Sequence, residues 1–425
     1  MAELSIGVDF GTSNTVVAIA EAGQPARVVG VQSRNACERA MPSILCFKPD
    51  ELDPRATPAS SAGADAIEDY RQRVGSARLM QSLKSFLGSA SFVDTNLFGH
   101  SFTLEQLIAR LLTHLYDSTA LRDRLRDARV VIGRPIHFAG ATADDILAAR
   151  RLSDAFGCAG RAPDEVRLEP EAAAYTFARA HPGEHLVLVV DLGGGTSDFS
   201  LVAVKNAGGC FELQPLAQTG IGIAGDRFDY ALVQRVVCPE LGMGSTFRPE
   251  YKPLRIPQWL YANFASWHQL SHMHNRQTLR LLGEILRTAD NPSAIEGLLH
   301  IVRNDEGFSL FQAVSQVKRT LSQADSARLR FKAGPVEIDR TVTRDEFESW
   351  IVGELVQIEA TAVRALKSAG INPHEITRVF MTGGSSLVPA VRSMFARKFG
   401  AEKLVWGDEF ASVAQGLAVM GSGNH

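Results

Sequence analysis

Two copies of one short pattern set the main constraint on how this 425-residue chain can fold. The first copy, SIGVDFGTSNTVVAIA, covers residues 5–20, and the second, LVLVVDLGGGTSDFSLVAV, covers residues 186–204. In each copy an apolar strand reaches an aspartate, a glycine-containing turn follows, and a second apolar strand leads away. The two aspartates, Asp9 and Asp191, are 182 positions apart. The repeat predicts an internal duplication whose halves face each other across a cleft.

The three glycines of the second copy admit two interpretations. Glycine tolerates positive φ, so a tight hairpin alone would account for them. A backbone without Cβ atoms also lets several N–H groups approach a polyphosphate, while a nearby aspartate holds the metal that neutralises it. The residues of this one stretch leave both interpretations open.

The length and composition predict a soluble chain with at least two lobes. With 425 residues, of which 45% are hydrophobic and 21% charged, the chain is too long for one ordinary core. A net charge of −3 gives no electrostatic reason to expect nucleic acid or an anionic membrane surface as a partner. No signal-peptide pattern precedes the first strand, and the longest apolar run, LVLVV, is too short to span a bilayer. The five cysteines lack C-x-x-C spacing, so we expect reduced thiols in a cytoplasmic protein.

Two regions outside the repeats are less regular. Residues 48–76 are rich in Pro, Ala, Ser and charged residues, which is typical of a surface loop. The segment 259–274 combines aromatic residues with His268, His272 and His274. The first two histidines share a helix face and would suit a metal, but no carboxylate or cysteine joins them at ligand spacing. Ordinary helical packing is therefore favoured for this segment.

Helical periodicity marks most of the remaining chain. The predicted helices lie around residues 104–125, 144–157, 169–180 and 313–325, and residues 231–311 are expected to be mostly helical. In the last of these, Val314, Val317 and Leu321 share one face, and a polar, basic strip lies beside them. Such a strip is usually solvent-exposed, although near a nucleotide it would suit ribose and adenine. Residues 379–400 follow as a strand, a glycine turn and a helix whose N-terminus offers N–H groups to an anion or a purine edge.

In this order and spacing, the motifs resemble the nucleotide-binding half of the DnaK-type seventy-kilodalton heat-shock chaperones, within the actin-like ATPase superfamily. The likeness is greatest to the short YegD-type members and covers essentially the whole chain. The motifs that carry it are VDFGTSNT (8–15), LKSFLG (83–88), VVIGRP (130–135), LEPEAAA (168–174), DLGGGTSD (191–198), AGDRFD (224–229), VKRTLS (317–322), TGGSSLVP (382–389) and GDEFASVAQGLA (407–418).

The resemblance implies an α/β, ribonuclease H-like fold with two lobes, each a mixed β-sheet flanked by helices, and ATP in the cleft between them. Lobe I would span residues 1–183 with a return of 403–425. Lobe II would span 184–402 and include a helical subdomain at about 231–335. No peptide-binding domain is expected after residue 425, so we expect that ATP does not control peptide binding within this chain.

The resemblance also implies which residues hold the phosphates and the metal. Asp9 and Asp191 would hold hydrated Mg²⁺ from opposite walls of the cleft. The backbone of two turns, with the hydroxyls of Thr12 and Thr196, would bind the phosphates of ATP or ADP. These turns contain Gly11, Thr12 and Ser13, and Gly193, Gly194 and Gly195. Lys84 matches the catalytic lysine, and Glu169 matches the acid that orients or deprotonates the attacking water, with Asp198 as a second candidate.

Around adenosine the match is incomplete. The positions that match the family's adenosine pocket are Gly225, Lys318, Arg319, Ser322, Gly383, Gly384, Ser385 and Asp408. Leu387 stands where these chaperones commonly have an arginine that stacks on adenine, and Ser315 stands where they have a glutamate that reaches the ribose. Both changes remove polar contacts to adenosine, so we expect weaker nucleotide affinity.

The leading hypothesis is a monomeric, Mg²⁺-dependent ATP-binding protein with slow ATPase activity and a chaperone-like or regulatory role. Its expected partners are ATP and a second protein or co-chaperone. A sugar or acetate kinase of the same superfold is an alternative, against which Lys84 and VKRTLS argue. An actin-like filament former, which sedimentation with ATP would reveal, and a nucleotide sensor that barely hydrolyses also stay open.

Overall fold

In the computed structural model, each repeated hairpin lies at the centre of a mixed β-sheet. The structure describes residues 4–21, 24–50, 52–53, 55–73, 76–119, 121–139, 143–207, 210–249, 252–265, 270, 273–304, 306–407 and 411–422. Two compact units are formed, and both sheets lie in the first one. The first unit holds Met1–Ala224, Gln357–Leu387 and Val391–His425, and the second holds Gly225–Val356 and Val388–Ala390.

The first sheet is built on the hairpin that carries Asp9. Its strands are β1 (Ser5–Phe10), β2 (Asn14–Ala20), β3 (Arg27–Val28), β4 (Arg129–Arg134) and β5 (Glu165–Leu168). They lie in the order β5-β4-β1-β2-β3, and a short strand, Met41–Pro42, also pairs with β2. The β1–β2 and β2–β3 pairs are antiparallel, whereas β4 is parallel to both β1 and β5.

The second sheet repeats this arrangement around the hairpin that carries Asp191. Its strands are β6 (Gly183–Leu192), β7 (Ser197–Ala207), β8 (Cys210–Ile221), β9 (Arg378–Thr382) and β10 (Leu404–Trp406). The order is β10-β9-β6-β7-β8, with antiparallel β6–β7 and β7–β8 pairs and parallel β6–β9 and β9–β10 pairs. Order and direction therefore match strand for strand, as an internal duplication requires.

Two helices lie between the sheets and share one core with both. Residues of helix Glu169–Ala180 and helix Ser412–Gly421 form an apolar cluster with Val131 of β4 and Val189 of β6. The helices approach closely where Gly416 faces the Ala172 carbonyl, and Gly7 of β1 contacts the backbone of the second helix near Ala414. Glycine is needed at these contacts because a Cβ atom would overlap main-chain atoms.

The other helices of the first unit follow the predicted periodicity. These helices are Gly63–Gln72, Leu104–Ser118, Asp145–Cys158, Gln357–Ser368 within the helix Val352–Ser368, and Pro389–Phe399, which begins in the second unit. In helix Leu104–Ser118 the predicted apolar positions, which are Leu104, Leu107, Ile108, Leu111, Leu112 and Leu115, are all buried. A capping box at Thr103 and Gln106 begins this helix by satisfying its first free N–H groups.

The prediction of a surface loop at residues 48–76 is wrong for much of that segment. Strand Ala59–Ala62 pairs with strand Ile44–Lys48, which also pairs with strand Arg78–Gln81, and helix Gly63–Gln72 follows. Asp69 of this helix is buried, and its carboxylate accepts hydrogen bonds from Arg34, Lys48 and Ser61. Composition alone does not reveal this strand and helix, because their polar side chains form hydrogen bonds with other polar side chains of the fold.

The second unit is mostly helical. Its helices are Gly225–Leu232, a π-helical turn Val233–Val237, Cys238–Glu240, Trp259–Ala262, Arg276–Leu286, Pro292–Arg303, Gly307–Leu321 and Arg344–Trp350. The hairpin Ser326–Ala333 and Val336–Thr343 completes it, with two-residue strands at Thr246–Phe247 and Leu254–Arg255. Val314, Val317 and Leu321 are buried, as their spacing predicts. The predicted subdomain at 231–335 falls inside this unit, and the predicted lobe boundary at 183–185 falls at the beginning of β6 and stays a prediction.

Across the described residues, no helix has the length and apolar character that a membrane span requires.

The close helix contact in the first unit gives a stability prediction. In Gly416→Ala the new methyl group overlaps the Ala172 carbonyl oxygen, so we expect a loss of about 1–3 kcal/mol or more in the free energy of unfolding. The matched control is Gly283→Ala, also within a helix, where a Cβ atom meets nothing within 4 Å. Because alanine has a higher helix propensity than glycine, this control should raise the free energy of unfolding by up to about 1 kcal/mol. Equal effects of the two changes on the free energy of unfolding in urea would contradict the close contact between Gly416 and the Ala172 carbonyl.

Candidate functional site

The two glycine turns of the duplicated hairpins are closed by the same hydrogen bond. Gly11 N–H donates to the Asn14 carbonyl oxygen at 3.0 Å, and Gly193 N–H donates to the Thr196 carbonyl oxygen, also at 3.0 Å. In the first turn the Ser43 hydroxyl adds a bond to the Gly11 carbonyl oxygen at 2.8 Å. The intervening backbone at 12–13 and 194–195 does not take part in these closing bonds.

The two turns and the segment with Lys84 border one small space. A Cβ atom added to Gly195 would lie 3.7 Å from Thr12 Oγ1 and 3.8 Å from Ser85 Oγ. Lys84 and Ser85 belong to the 3₁₀ turn Leu83–Phe86. The sequence places Thr12, Ser85 and Gly195 far apart along the chain, and the fold brings them so close that one added methyl group at Gly195 would contact both side chains.

Acidic side chains lie at the strand ends beside these turns. Asp9 is the fifth residue of β1, and Asp191 is next to last in β6. Within the first hairpin Asp9 lies opposite Val16, whereas within the second Asp191 lies opposite Asp198. The second hairpin thus carries a cross-strand pair of like charges, which destabilises a sheet unless protons or cations balance it.

Lys84 forms a buried ion pair with Glu169. Lys84 Nζ lies 2.6 Å from Glu169 Oε1, and about 9% of one side chain and 8% of the other are exposed. Glu169 is the first residue of helix Glu169–Ala180, where the helix dipole favours a negative charge. A Cβ atom on Gly133 of β4 would lie 2.9 Å from Glu169 Cγ, so the strand glycine makes room for this side chain.

Burial and mutual repulsion perturb the carboxyl groups of this cluster. Burial, followed by the charge of Glu169, raises the pKa of Asp9 to about 8, and the same two causes raise the pKa of Asp191 and of Asp198 to about 7. For Lys84 burial acts to lower the pKa, but Glu169, Asp9 and Asp191 outweigh it and the pKa is raised. One ammonium group therefore faces four acids, and near neutral pH some of these acids keep their protons unless a cation takes the place of the protons.

The residues present fit a magnesium ion. Carboxylate oxygens are hard donors, and Mg²⁺ needs only one or two carboxylates because it keeps several waters and takes phosphate oxygens as ligands. Asp198 Oδ1 is buried and, among the described residues, has no hydrogen-bond partner. An oxygen that could contact a hydrated cation therefore lies on the residue opposite Asp191. Within that same part of the chain, no group of three or more His, Cys, Asp or Glu residues forms an all-protein metal site.

The turn after β9 is attached to the second glycine turn. Ser385 Oγ donates to the Gly193 carbonyl oxygen at 2.7 Å. Gly383 has a φ of +78°, and a Cβ atom there would lie 2.8 Å from Asp191 Oδ1 and would overlap the Leu192 carbonyl. Gly384 begins the 3₁₀ turn Gly384–Leu387. The predicted residues Gly383 and Ser385 therefore contact the Asp191 hairpin directly.

The remaining predicted adenosine residues lie in the second unit or outside the described residues. Lys318 Nζ donates to Asp229 Oδ2 at 2.7 Å and to the Gly225 carbonyl oxygen at 3.0 Å, so this lysine is paired within its own unit. Arg319 is exposed, and Ser322 caps the end of the helix. Asp408, His268 and His272 lie outside the described residues.

Sequence reasoning missed three residues that shape the site. Ser85 borders the space between the glycine turns, Ser43 fixes the first turn, and Gly133 admits Glu169. A glycine inside an apolar strand is itself a signal of close approach, and VVIGRP contained that signal. Nothing local marks Ser43 or Ser85, whose importance depends on segments distant in sequence.

The raised pKa values predict how stability depends on pH without metal. A buried acid with a raised pKa holds its proton more tightly in the folded chain, so the free energy of unfolding should fall as pH rises from about 5 to about 8. Asp191→Asn removes one of the titrating groups. The slope of the free energy of unfolding against pH should therefore become less steep by at most about 1.4 kcal/mol per pH unit. The measurement is urea unfolding with EDTA across this pH range. The exposed change Asp154→Asn should follow the wild type, and equal slopes for Asp191→Asn would contradict the shift at Asp191.

A protein-family model described as "Hsp70 protein" matches residues 5–240 and 304–422. The matched ranges make up most of the chain and contain both hairpins, Lys84 and Glu169. The match confirms the predicted resemblance to a DnaK-type nucleotide-binding module and the actin-like ATPase fold. The finer likeness to YegD-type members stays a prediction.

Proposed function

The chain belongs to the Hsp70 family, and on that premise we propose that it binds ATP together with Mg²⁺ and hydrolyses ATP slowly. Family membership itself assigns an ATP-binding, chaperone-type function. The observation that carries the finer proposal is the cluster of buried Asp198 and Glu169 with partly buried Asp9 and Asp191, which Lys84 opposes among the described residues. Ionised carboxylates would repel a polyphosphate, so a cation that takes the place of their protons would let the site accept one.

In this proposal the glycine turns bind the phosphates. The backbone N–H groups around Gly11, Thr12 and Ser13 and those around Gly193, Gly194 and Gly195 donate to phosphate oxygens. The hydroxyls of Thr12 and Thr196 add two further donors. The support is geometric, because a Cβ atom added to Gly195 would lie 3.7 Å from Thr12 Oγ1 and glycine leaves the backbone accessible.

Asp9 and Asp191 would hold Mg²⁺, which neutralises charge on the phosphates when it is bound. Glu169 accepts a proton from, or orients, the attacking water, and Lys84 fixes Glu169 through their 2.6 Å contact and presents a positive charge to the phosphate. Asp198 is the second candidate for the water contact, since its Oδ1 has no hydrogen-bond partner in the described part of the chain.

The proposed adenosine contacts are weaker. Gly225, Lys318, Arg319 and Ser322 serve this role in the second unit, and Gly383, Gly384, Ser385 and Asp408 complete the proposed set. Because Leu387 and Ser315 offer neither a guanidinium nor a carboxylate to adenosine, we expect low nucleotide affinity.

We also propose that the protein is a cytoplasmic monomer and that it acts together with a co-chaperone or similar protein partner. The thiols of Cys37, Cys46, Cys158 and Cys238 are free, which suits a reducing compartment.

Mg·ATP binding should depend on Asp191. Asp191→Asn removes a ligand charge while keeping the side-chain volume, so Mg·ATP affinity should fall by at least about tenfold, equivalent to 1.4 kcal/mol. Isothermal titration with ATP, ADP and AMP, with and without Mg²⁺, measures the effect, with Asp154→Asn as the exposed control. Unchanged Mg·ATP affinity in folded Asp191→Asn would refute the proposed metal site.

Substitutions at Lys84 and Glu169 should slow ATP hydrolysis without preventing ATP binding. Lys84→Met and Glu169→Gln keep side-chain volume, which limits the destabilisation expected when a buried ion pair loses one partner. Both variants should retain ATP while the single-turnover rate falls by about 10²–10⁴-fold. Wild-type rates in both variants would show that these roles are wrong. A wild type that binds ATP and does not hydrolyse it would favour the nucleotide-sensor alternative.

A further inference from the structure

A second polar cavity lies in the first unit, with lining residues that belong to no part of the carboxylate cluster. Its volume is about 360 Å³. It is bordered by the hairpin Asp94–Leu97 and His100–Thr103, one face of helix Leu104–Ser118 and the end of helix Asp145–Cys158. On the long helix, Gln106, Arg110 and Thr113 point to the same side because they recur at helical spacing.

Arg110 is fixed at the wall of this cavity by two aromatic rings. Its Cζ atom lies 5.1 Å from the ring centre of Phe102 and 5.6 Å from that of Phe47. The two rings are themselves in contact, with centres 5.3 Å apart. Stacking of this kind holds the planar guanidinium group in one orientation, so its N–H donors keep a defined direction.

Among the described residues, Arg110 has no carboxylate partner. In the described part of the chain its hydrogen bond is to Ser60 Oγ, at 3.3 Å, and it forms no ion pair there. Among the described residues, the cavity lining contains no aspartate or glutamate. Burial lowers the pKa of Arg110 with no opposing contribution from a carboxylate, which agrees with the geometry.

A partly buried cation without an anion is costly to the folded chain, and a bound anion would remove that cost. Thr57, Ser101 and Thr113 line the same cavity, and each has a hydroxyl group that can donate a hydrogen bond. A guanidinium fork with several hydroxyl donors matches the oxygens of a phosphate group, which accept from several directions.

We propose that this cavity binds a small phosphate-bearing molecule whose phosphate group pairs with Arg110. The cavity volume exceeds that of a phosphate ion, so a phosphate monoester with a compact organic part is the expected ligand. This site is separate from the proposed nucleotide site and would exist even if the chain did not hydrolyse ATP.

Cys158 provides a local reporter for the occupant. Its thiol is free and exposed, and it lines the cavity. A ligand on Arg110 should slow alkylation of Cys158 by iodoacetamide, which peptide mass spectrometry can follow at this one cysteine. Cys37, which is also free and exposed but lies elsewhere, is the internal control.

The experiment uses the full chain with Mg·ADP present throughout, so that the proposed nucleotide site is occupied and no inorganic phosphate is released. The probes are inorganic phosphate, glycerol 3-phosphate and, as a dicarboxylate, malonate. At a probe concentration ten times its dissociation constant, alkylation of Cys158 should slow by about tenfold. Isothermal titration with the same probes gives the dissociation constants.

Two variants test the role of Arg110. Arg110→Gln removes the charge and should abolish protection by either phosphate probe, and Arg110→Lys should retain weak protection because a point charge replaces the fork. Arg150→Gln makes the same charge change at an exposed position on helix Asp145–Cys158 and should behave as the wild type.

Stronger protection by glycerol 3-phosphate than by inorganic phosphate supports a monoester ligand, and equal protection supports free phosphate at the same site. Protection by malonate alone would overturn the choice of phosphate. Protection that persists in folded Arg110→Gln, or that is absent for every probe in the wild type, would overturn the site.

Discussion

The candidate active site depends on one buried ion pair, between Lys84 and Glu169, at 2.6 Å. Without the lysine, four acids would lie together with no positive charge among them. Without Glu169, Lys84 would be a buried cation held by Asp9 and Asp191 alone, the two residues proposed to bind the metal. The pair therefore links the stability of the first unit to its proposed chemistry, since the same charges that strain the folded chain would attract Mg²⁺.

The duplicated topology explains why the acids meet. Each sheet has its hairpin in the same place and direction, so Asp9 and Asp191 occupy equivalent strand ends. The copies have diverged at one decisive position, because Val16 opposes Asp9 whereas Asp198 opposes Asp191. The second copy thus carries an additional acid, and this asymmetry gives the two walls of the site different chemistry.

Local patterns predicted the parts of the fold that local physics determines. The hairpins, the leucine face of helix Leu104–Ser118 and the strand–turn–helix after Arg378 all carry periodicity or glycine signals that act over a few residues. The strand and helix within residues 59–72 were not predicted, because buried Asp69 depends on hydrogen bonds from residues 34 and 48, which lie elsewhere in the sequence. Lys318 was expected on a solvent-exposed or nucleotide-facing strip, and the structure pairs it with Asp229 across 89 positions. Such pairings cannot be found from periodicity, since they exist only after distant segments have come together.

The contact between Gly7 and helix Ser412–Gly421 has a consequence for biosynthesis. Gly7 and Ala414 are 407 positions apart, so this helix cannot cover the first sheet until residues 412–421 have left the ribosome. Contacts of such long range fold slowly because a large loop must close before they form. During translation the apolar residues of β1 that this helix covers therefore stay exposed, and such exposed surface makes an incomplete chain prone to aggregation.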